Sequence, residues 1–444
     1  MQRSKILSSP SAAQICLDRE HGGSWPKDAR AQAIAGGLES RVLLNFSSSV
    51  RSSLIGLGLL SGTETEILSF DYDPATQGLL LGYAMQANHV NNLVSVLPQL
   101  TNSMNSIRPT TTHLTYSMNN SRTITAFRSE ISSVNLGPSR TLITTTTGSA
   151  HPPTIHITNL LEPEDVNPRM PIDTGVSTVL RPPDLATIWT SAPNRCSSGD
   201  HMLENSQTPS DTIAIGTSNG IISLTRSWSG WESSMPLKTQ SDVLALDWLS
   251  PRVLAAGLRD ASIFLWDARS QGSAVRLRHN STVSALRRAD GESRIVVCGL
   301  SNSLAMYDLR MVREGITDAE EASLLQKGGH PEPTQKRKRK RKGRQDGSAR
   351  QVSTPVLTFD YSNAYRYPLG FDVSAELGLV AAAQDDGTIR MYSLQTGEKI
   401  GWAGAVPQAA QEASQVKCLR FVDDGRGVPK VMASIGASIV EYAW

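Results

Sequence analysis

Long apolar runs are missing from this chain of 444 residues. None approaches the roughly eighteen consecutive apolar residues that a bilayer-crossing helix needs, so no membrane association is expected. Cysteine is sparse. Cys16, Cys196, Cys298 and Cys418 stand about a hundred residues or more apart, which rules out the CxxC spacing of a zinc knuckle or redox centre. Cys298 and Cys418 lie in apolar, strand-like runs and read as buried thiols in a reducing compartment. A dominant charge sign is missing as well. The net charge is only +2, and the excess sits in one block, Lys336 to Arg344. The remainder is mildly acidic, so no nucleic-acid surface is expected from the fold itself. The start, MQRSKILSSPSAAQICL, has Arg3 and Lys5 but no clean apolar core, which argues against a secretory signal and leaves a mitochondrial presequence as the minor targeting reading. Without a secretory route the Asn-x-Ser/Thr triplets at Asn45, Asn119 and Asn280 carry little weight.

Catalytic motifs are absent too: there is no GxSxG elbow, no GxxxxGK[ST] phosphate loop and no HExxH metal helix. Gly56 to Gly62 (GLGLLSG) has its third glycine one residue late for a dinucleotide loop and reads as strand and turn. His151 and His156 flank Pro152-Pro153 with no third ligand nearby, and read as loop residues. No catalytic residue, metal site or cofactor is assigned. A catalytic centre at the strand ends would need polar and acidic groups converging there, and the strand starts here are mostly Val, Leu and Ser.

What the chain does have is 39% apolar residues, arranged in a repeat. Val243 to Arg269, VLALDWLSPRVLAAGLRDASIFLWDAR, reads as three short strands separated by tight turns at Ser250-Pro251 and Arg259-Asp260. The pattern returns from Thr282 to Arg310, from Leu369 to Gly397, and again in the last stretch, VKCLRFVDDGRGVPKVMASIGASIVEYAW. Third strands end at Trp266, Tyr307, Tyr392 and Tyr442. The first two are 41 residues apart and the last two 50. Reading backward, TIAIGTSNGIISLTRSW puts Thr225 where Trp266 stands. A period near 40–45 residues with four strands per unit is that of the WD-repeat β-propeller. The expected fold is therefore all-β, a propeller of seven blades over 41–444 with disordered insertions. Ile67 to Leu97, His113 to Leu160 and residues 175–228 supply the three less regular blades. VLLNF (42–46) would close the ring against the last strands, and residues 1–40 read as a flexible leader. Residues 161–210, proline-rich and polar, read as a long loop; residues 312–352 read as a disordered basic insertion.

LWDAR (Leu265 to Arg269) and MYDLR (Met306 to Arg310), in consecutive repeats, resemble the tandem WDxR motifs of the WD-repeat substrate receptors of cullin-four RING ubiquitin ligases. NAYRYPLGFDVSAELGLVAAAQDDGTIRMYSL and the closing MASIGASIVEYAW also resemble blades of that family. The similarity covers roughly 240–444. It implies a protein-interaction scaffold, not an enzyme. In that family the motif arginine contacts the triple-propeller adaptor of the ligase, which here points to Arg269 and Arg310. Asp267 and Asp308 would hold the strand ends, and Trp266 and Tyr307 precede them. The motif departs from the family at Tyr307, which replaces Trp. In well-formed WD blades a His, a Ser/Thr, an Asp and the Trp form a buried hydrogen-bond chain; Asp260 and Trp266 fall in one repeat and His279 in the next, so no blade has the full set. The implied partners are the adaptor and a substrate, with the chain a monomer inside a larger complex. The alternative is a nuclear scaffold of another assembly, in chromatin or ribosome biogenesis, that does not bind the ligase.

The basic block comprises Lys336, Arg337, Lys338, Arg339, Lys340, Arg341, Lys342 and Arg344. It reads as a nuclear-import signal recognised by an import receptor, placing the chain in the nucleus with the cytoplasm as a second location. No aromatics interleave with it, so any nucleic-acid contact would be non-specific and salt-sensitive.

Overall fold

The computed structural model describes residues 39–45, 65–85, 90–101, 113–149, 151–161, 174–196, 211–268, 274–290, 293–311, 354–401, 415–423 and 429–443. The short β-branched and aliphatic runs form seven antiparallel sheets, six of four strands and one of three. Their first strands are Thr65–Asp73, Ile131–Leu136, Ile188–Pro193, Val243–Trp248, Val283–Asp290, Phe371–Ser374 and Val416–Asp423, which number blades 1 to 7. Glu39–Asn45 pairs with Ser438–Ala443 as the outermost strand of blade 7, so the two ends of the chain share one sheet. Ring closure through VLLNF is thus as the sequence suggests, although the strand begins inside the stretch read as leader.

Among the described residues the core forms seven apolar clusters, and each joins two neighbouring blades. One, for example, packs Ala245, Ile263 and Leu277 of blade 4 against Val283, Leu286 and Tyr307 of blade 5. Strands this short bury too little surface to be stable alone, and the closed ring covers both faces of every sheet.

A defect shared by the first strands sets the geometry of the centre. In six of the seven, pairing with the second strand slips by one residue at the same place: after Ile67, Ile131, Ile188, Val243, Val283 and Val416. Such a bulge bends the strand and re-aims the side chains beyond it. Counting from the slip aligns Asp71, Asn135, Ala192, Asp247, Arg287 and Arg420, and the pairing of blade 6 adds Asp372 to the same layer. Opposite the slip in blade 4, Gly257 pairs with Ala245. A Cβ on Gly257 would lie 2.2 Å from Val283 Cγ1 of the next blade. Gly257→Ala is therefore expected to force blades 4 and 5 apart and to cost about 1–3 kcal/mol in denaturant unfolding. Gly401→Ala, where a Cβ meets nothing within 4 Å, is expected to leave the midpoint unchanged.

Four sequence expectations need correction. Residues 161–210 are not one long loop. Thr174–Leu180 is the outer strand of blade 2, and Ile188–Pro193 is the inner strand of blade 3. His113–Phe127 is the outer strand of blade 1 and not the start of blade 2. His156 lies within a strand, edge-on to Phe127 at 4.7 Å between ring centroids. Leu224, not Thr225, occupies the place of Trp266: Gly216 pairs with Ile221 where Gly257 pairs with Ile263, so the blade 3 turn is one residue shorter. The leader before 39, Gly56 to Gly62 and the basic insertion of 312–352 lie outside the described residues.

Candidate functional site: the strand-exit face and the central channel

First and third strands of a blade are both antiparallel to the second, so they run the same way and end on one face of the ring. This is the exit face; the loops entering the first strands make the opposite, entry face. On the exit face, main-chain bonds from Arg226 to Asp211, Ala268 to Arg252 and Leu309 to Ser293 mark equivalent points on the third strands of blades 3, 4 and 5. The residues just beyond are Ser227 and Trp228 in blade 3, and Arg310 and Met311 in blade 5. Arg269, at the same position of blade 4, lies outside the described residues.

The residues leading to that face are anchored deeply. Trp266 is buried and meets Trp248 edge-on, with 6.4 Å between centroids. Asp267, half-buried, ends the third strand of blade 4 and pairs with Val253. Tyr307 is buried in the cluster between blades 4 and 5. The Asp308 carboxylate is buried and accepts from the Arg310 main-chain N–H at 3.0 Å, from Nε at 2.9 Å and from Nη2 at 2.6 Å. That grip holds the Asp308 carboxyl down to about 2. The Arg310 side chain remains 65% exposed. Asp308 thus fixes one edge of the guanidinium, and the rest of the five-donor fork faces outward. Beside it, Met311 is exposed, and Trp228 at the blade 3 hairpin tip is 99% exposed.

The second concentration of chemistry is the channel, with a cavity of about 500 Å³. Its charged layer is Asp71, Asn135, Asp247, Arg287, Asp372 and Arg420, broken at Ala192. The aspartates tie blades together: Asp71 accepts the Leu136 N–H at 2.7 Å, Asp247 that of Arg288 at 2.7 Å, and Asp372 that of Phe421 at 2.8 Å. Arg287 Nε donates to Asp372 at 2.9 Å, and Arg420 Nη2 donates to Asn135 at 3.0 Å. Arg195 reaches across from blade 3 to Asp71 and to the Leu136 carbonyl. Neighbouring guanidinium groups and N–H donors hold the Asp71 carboxyl below the usual range against its burial, whereas burial pushes Asp247 up. The expectation of a channel poor in polar and acidic groups is overturned. The bulge sends the fourth residue after each slip inward, where a count from strand starts does not look. The signal was present as an apolar residue followed by Asp, Asn or Arg: Phe70-Asp71, Val134-Asn135, Leu246-Asp247, Leu286-Arg287, Phe371-Asp372 and Leu419-Arg420.

Over 103 residues the chain is 26% identical to the WD repeat-containing protein 21 of Schizosaccharomyces pombe (strain 972 / ATCC 24843), a match covering 23% of this chain and 24% of that protein. The fold is a seven-bladed WD-repeat β-propeller. The match spans about a quarter of the relative's length, and no protein-family model matches the chain. Propellers of this kind present their loops as protein-interaction scaffolds.

The WD-type hydrogen-bond chain is more complete than the sequence suggests. His279 reaches forward into blade 5, where Nδ1 lies 2.8 Å from the Tyr307 hydroxyl and Nε2 2.8 Å from Ser303 Oγ. Tyr307 stands in for Trp because its hydroxyl serves as the polar end of the chain. In blade 4 the buried Trp266 Nε1 has no partner among the described residues. No group of three or more His, Cys, Asp or Glu side chains able to hold a metal occurs among the described residues, and no described helix is long and apolar enough to cross a membrane.

Proposed function

We propose that this propeller is a substrate receptor of a cullin-four RING ubiquitin ligase, docking on the ligase adaptor through its exit face and presenting a bound target for ubiquitylation. The reading is carried by Arg310: a guanidinium clamped along one edge by its own Asp308 yet 65% exposed is pre-oriented to offer its free donors to a partner at little entropic cost. The WDxR spacing in LWDAR and MYDLR supports the same role for Arg269. Met311 adds exposed thioether surface next to the arginine, and Trp228, on blade 3, adds an exposed aromatic to the same face, in keeping with the Trp and Arg enrichment of interface hot spots. The basic block from Lys336 to Arg344 serves nuclear import in this account, so the receptor works in the nucleus.

Binding of the purified full chain to purified adaptor, followed by calorimetry, tests the docking step. Arg269→Ala/Arg310→Ala is expected to weaken binding by about 2 kcal/mol or more, roughly thirty-fold. Equal affinity of the double variant and the wild type would refute docking through the motif arginines.

A further inference from the structure

The aspartates of the charged layer share one task. Each accepts the inner-edge N–H of the next blade: Asp71 that of Leu136, Asp247 that of Arg288 and Asp372 that of Phe421. Asn135 departs from the pattern for a chemical reason. The N–H due to it would come from Pro193, which has none, and Asn135 Nδ2 donates instead to the Ser191 carbonyl at 3.0 Å. Blades 5 and 7 place arginine in the layer, and blade 3 alone places an apolar residue there, Ala192. The N–H due to that position belongs to Trp248 of blade 4. Leu249 N–H bonds the Val253 carbonyl at 2.8 Å, so the alternation of the ladder turns the Trp248 N–H away from its own sheet and toward the channel. Blade 3 meets it with a methyl group. The nearby Cys196 thiol serves the Trp248 carbonyl, at 3.3 Å, and is itself a weak acceptor.

The charges around this gap favour an anion. Arg195 and Arg287 each have an aspartate within ion-pair distance, Asp71 and Asp372 respectively. Arg288 and Arg420 have no such partner among the described residues. Arg420 donates to the neutral Asn135, and Arg288 Nη1 donates to the Leu249 carbonyl at 3.2 Å and to Cys196 Sγ at 3.4 Å. The carboxylate left unpaired in the layer, Asp247, acts on both arginines only through space. Cys196 Sγ touches the Arg288 guanidinium as well as the Trp248 carbonyl, so an exposed guanidinium stands beside the unserved N–H. Asp71 shows the same arrangement completed: one carboxylate bonded to the next blade's N–H and paired with an arginine. At Ala192 the N–H and the arginine are present without the carboxylate. The entry end is occupied by Arg259, stacked over the Trp189 ring 5.1 Å from its centroid, whereas the exit end offers Arg288 to solvent.

We propose that the exit mouth of the channel binds one carboxylate group, which takes the place left by Ala192, accepts the Trp248 N–H and pairs with Arg288. A carboxylate matches the flat fork of a guanidinium with two parallel bonds. The cavity of about 500 Å³ takes one acidic side chain or a small free carboxylate and excludes a folded element. It opens on the side that carries Arg310, within reach of an acidic residue of a protein docked there. The pocket needs only the groups around Ala192, so it stands or falls apart from the ligase reading.

The full chain is titrated by calorimetry and saturation-transfer NMR, in low-chloride buffer, with the peptide acetyl-Gly-Ser-Leu-Glu-Leu-Ser-Gly-amide, its counterparts with glutamine or arginine in place of glutamate, and sodium acetate. The glutamate peptide is expected to bind at least about ten-fold more tightly than the other two peptides. Arg288→Gln removes the cation, and Ala192→Asp fills the gap with a resident carboxylate. Each is expected to weaken the glutamate peptide about ten-fold or more. Ala192→Asp is also expected to raise the melting temperature by roughly 2 °C, because the new carboxylate accepts the Trp248 N–H. Equal binding of the glutamine peptide, preference for the arginine peptide, binding indifferent to both variants, or no binding by any probe would overturn the pocket. So would a melting temperature lowered by Ala192→Asp, since the gap would then not hold a carboxylate. Acetate bound as tightly as the glutamate peptide assigns the pocket to a free small carboxylate; a peptide bound more tightly assigns it to a protein side chain.

Discussion

Asp71→Ala is expected to lower the unfolding free energy of the propeller by about 2–4 kcal/mol, the cost of leaving two hydrogen-bond donors without their acceptor and of losing an ion pair whose arginine is half exposed. One carboxylate, buried in the ring, accepts the N–H of Leu136 in blade 2 and that of Tyr72, and pairs with Arg195 of blade 3. Arg420 of blade 7 also lies close enough to act on it electrostatically. Truncation leaves the Leu136 N–H buried without an acceptor and removes counter-charge from Arg420, in a ring where four blades meet at this point. Asp71→Asn keeps one oxygen and is expected to cost only about 1–3 kcal/mol. Guanidinium unfolding, followed by tryptophan fluorescence, measures both. An alanine variant within about 1 kcal/mol of wild type would mean that the charged layer does not brace the ring.

The second large effect is a pH dependence centred on His279. Its imidazole is buried between blades 4 and 5, bonded to Tyr307 and Ser303, and burial lowers its pKa to about 4. The unfolded chain takes up this proton near pH 6.5. Between those values the unfolded state holds the extra proton, so the histidine's contribution is complete above about pH 6.5 and is lost as the pH falls toward 4. The loss follows a limiting slope of about 1.4 kcal/mol per pH unit, reaching roughly 2 kcal/mol by pH 5. His156, also lowered by burial, adds in the same direction. His279→Gln is expected to be less stable than wild type at pH 7 and to have a visibly flatter stability profile from pH 7 to 5. Parallel profiles for the two proteins would show that His279 is not buried in its neutral form.

The sequence carried the fold mainly through its second half. Each of the last four copies pairs an apolar inner strand with a third strand ending in Trp or Tyr, and all four occupy those places. Blade boundaries in the first half were hidden for specific reasons. His113–Phe127 is polar along most of its length because it is an outer strand with one exposed edge. Ile188–Pro193 ends in a proline that reads as a breaker but sits at a strand terminus, the position where a sheet tolerates it. Of the motif side chains, the structure joins Asp308 to Arg310 and buries Tyr307 in the core between blades 4 and 5. Other features were not legible, because they depend on proximity that no local pattern encodes: the bulge that turns five polar residues inward, the bond from His279 into the next blade, and the exposure of Trp228 on the same face as Arg310.

The receptor account is tested most directly by affinity purification, from nuclear extract, of the tagged wild-type chain and of Arg269→Ala/Arg310→Ala, with bound proteins quantified by mass spectrometry. The account predicts that the cullin-four adaptor is captured by wild type and lost from the double variant, while target proteins held elsewhere on the propeller remain on both. Absence of the adaptor from both samples, with other nuclear proteins recovered equally, would contradict it and identify the propeller as a scaffold of a different assembly.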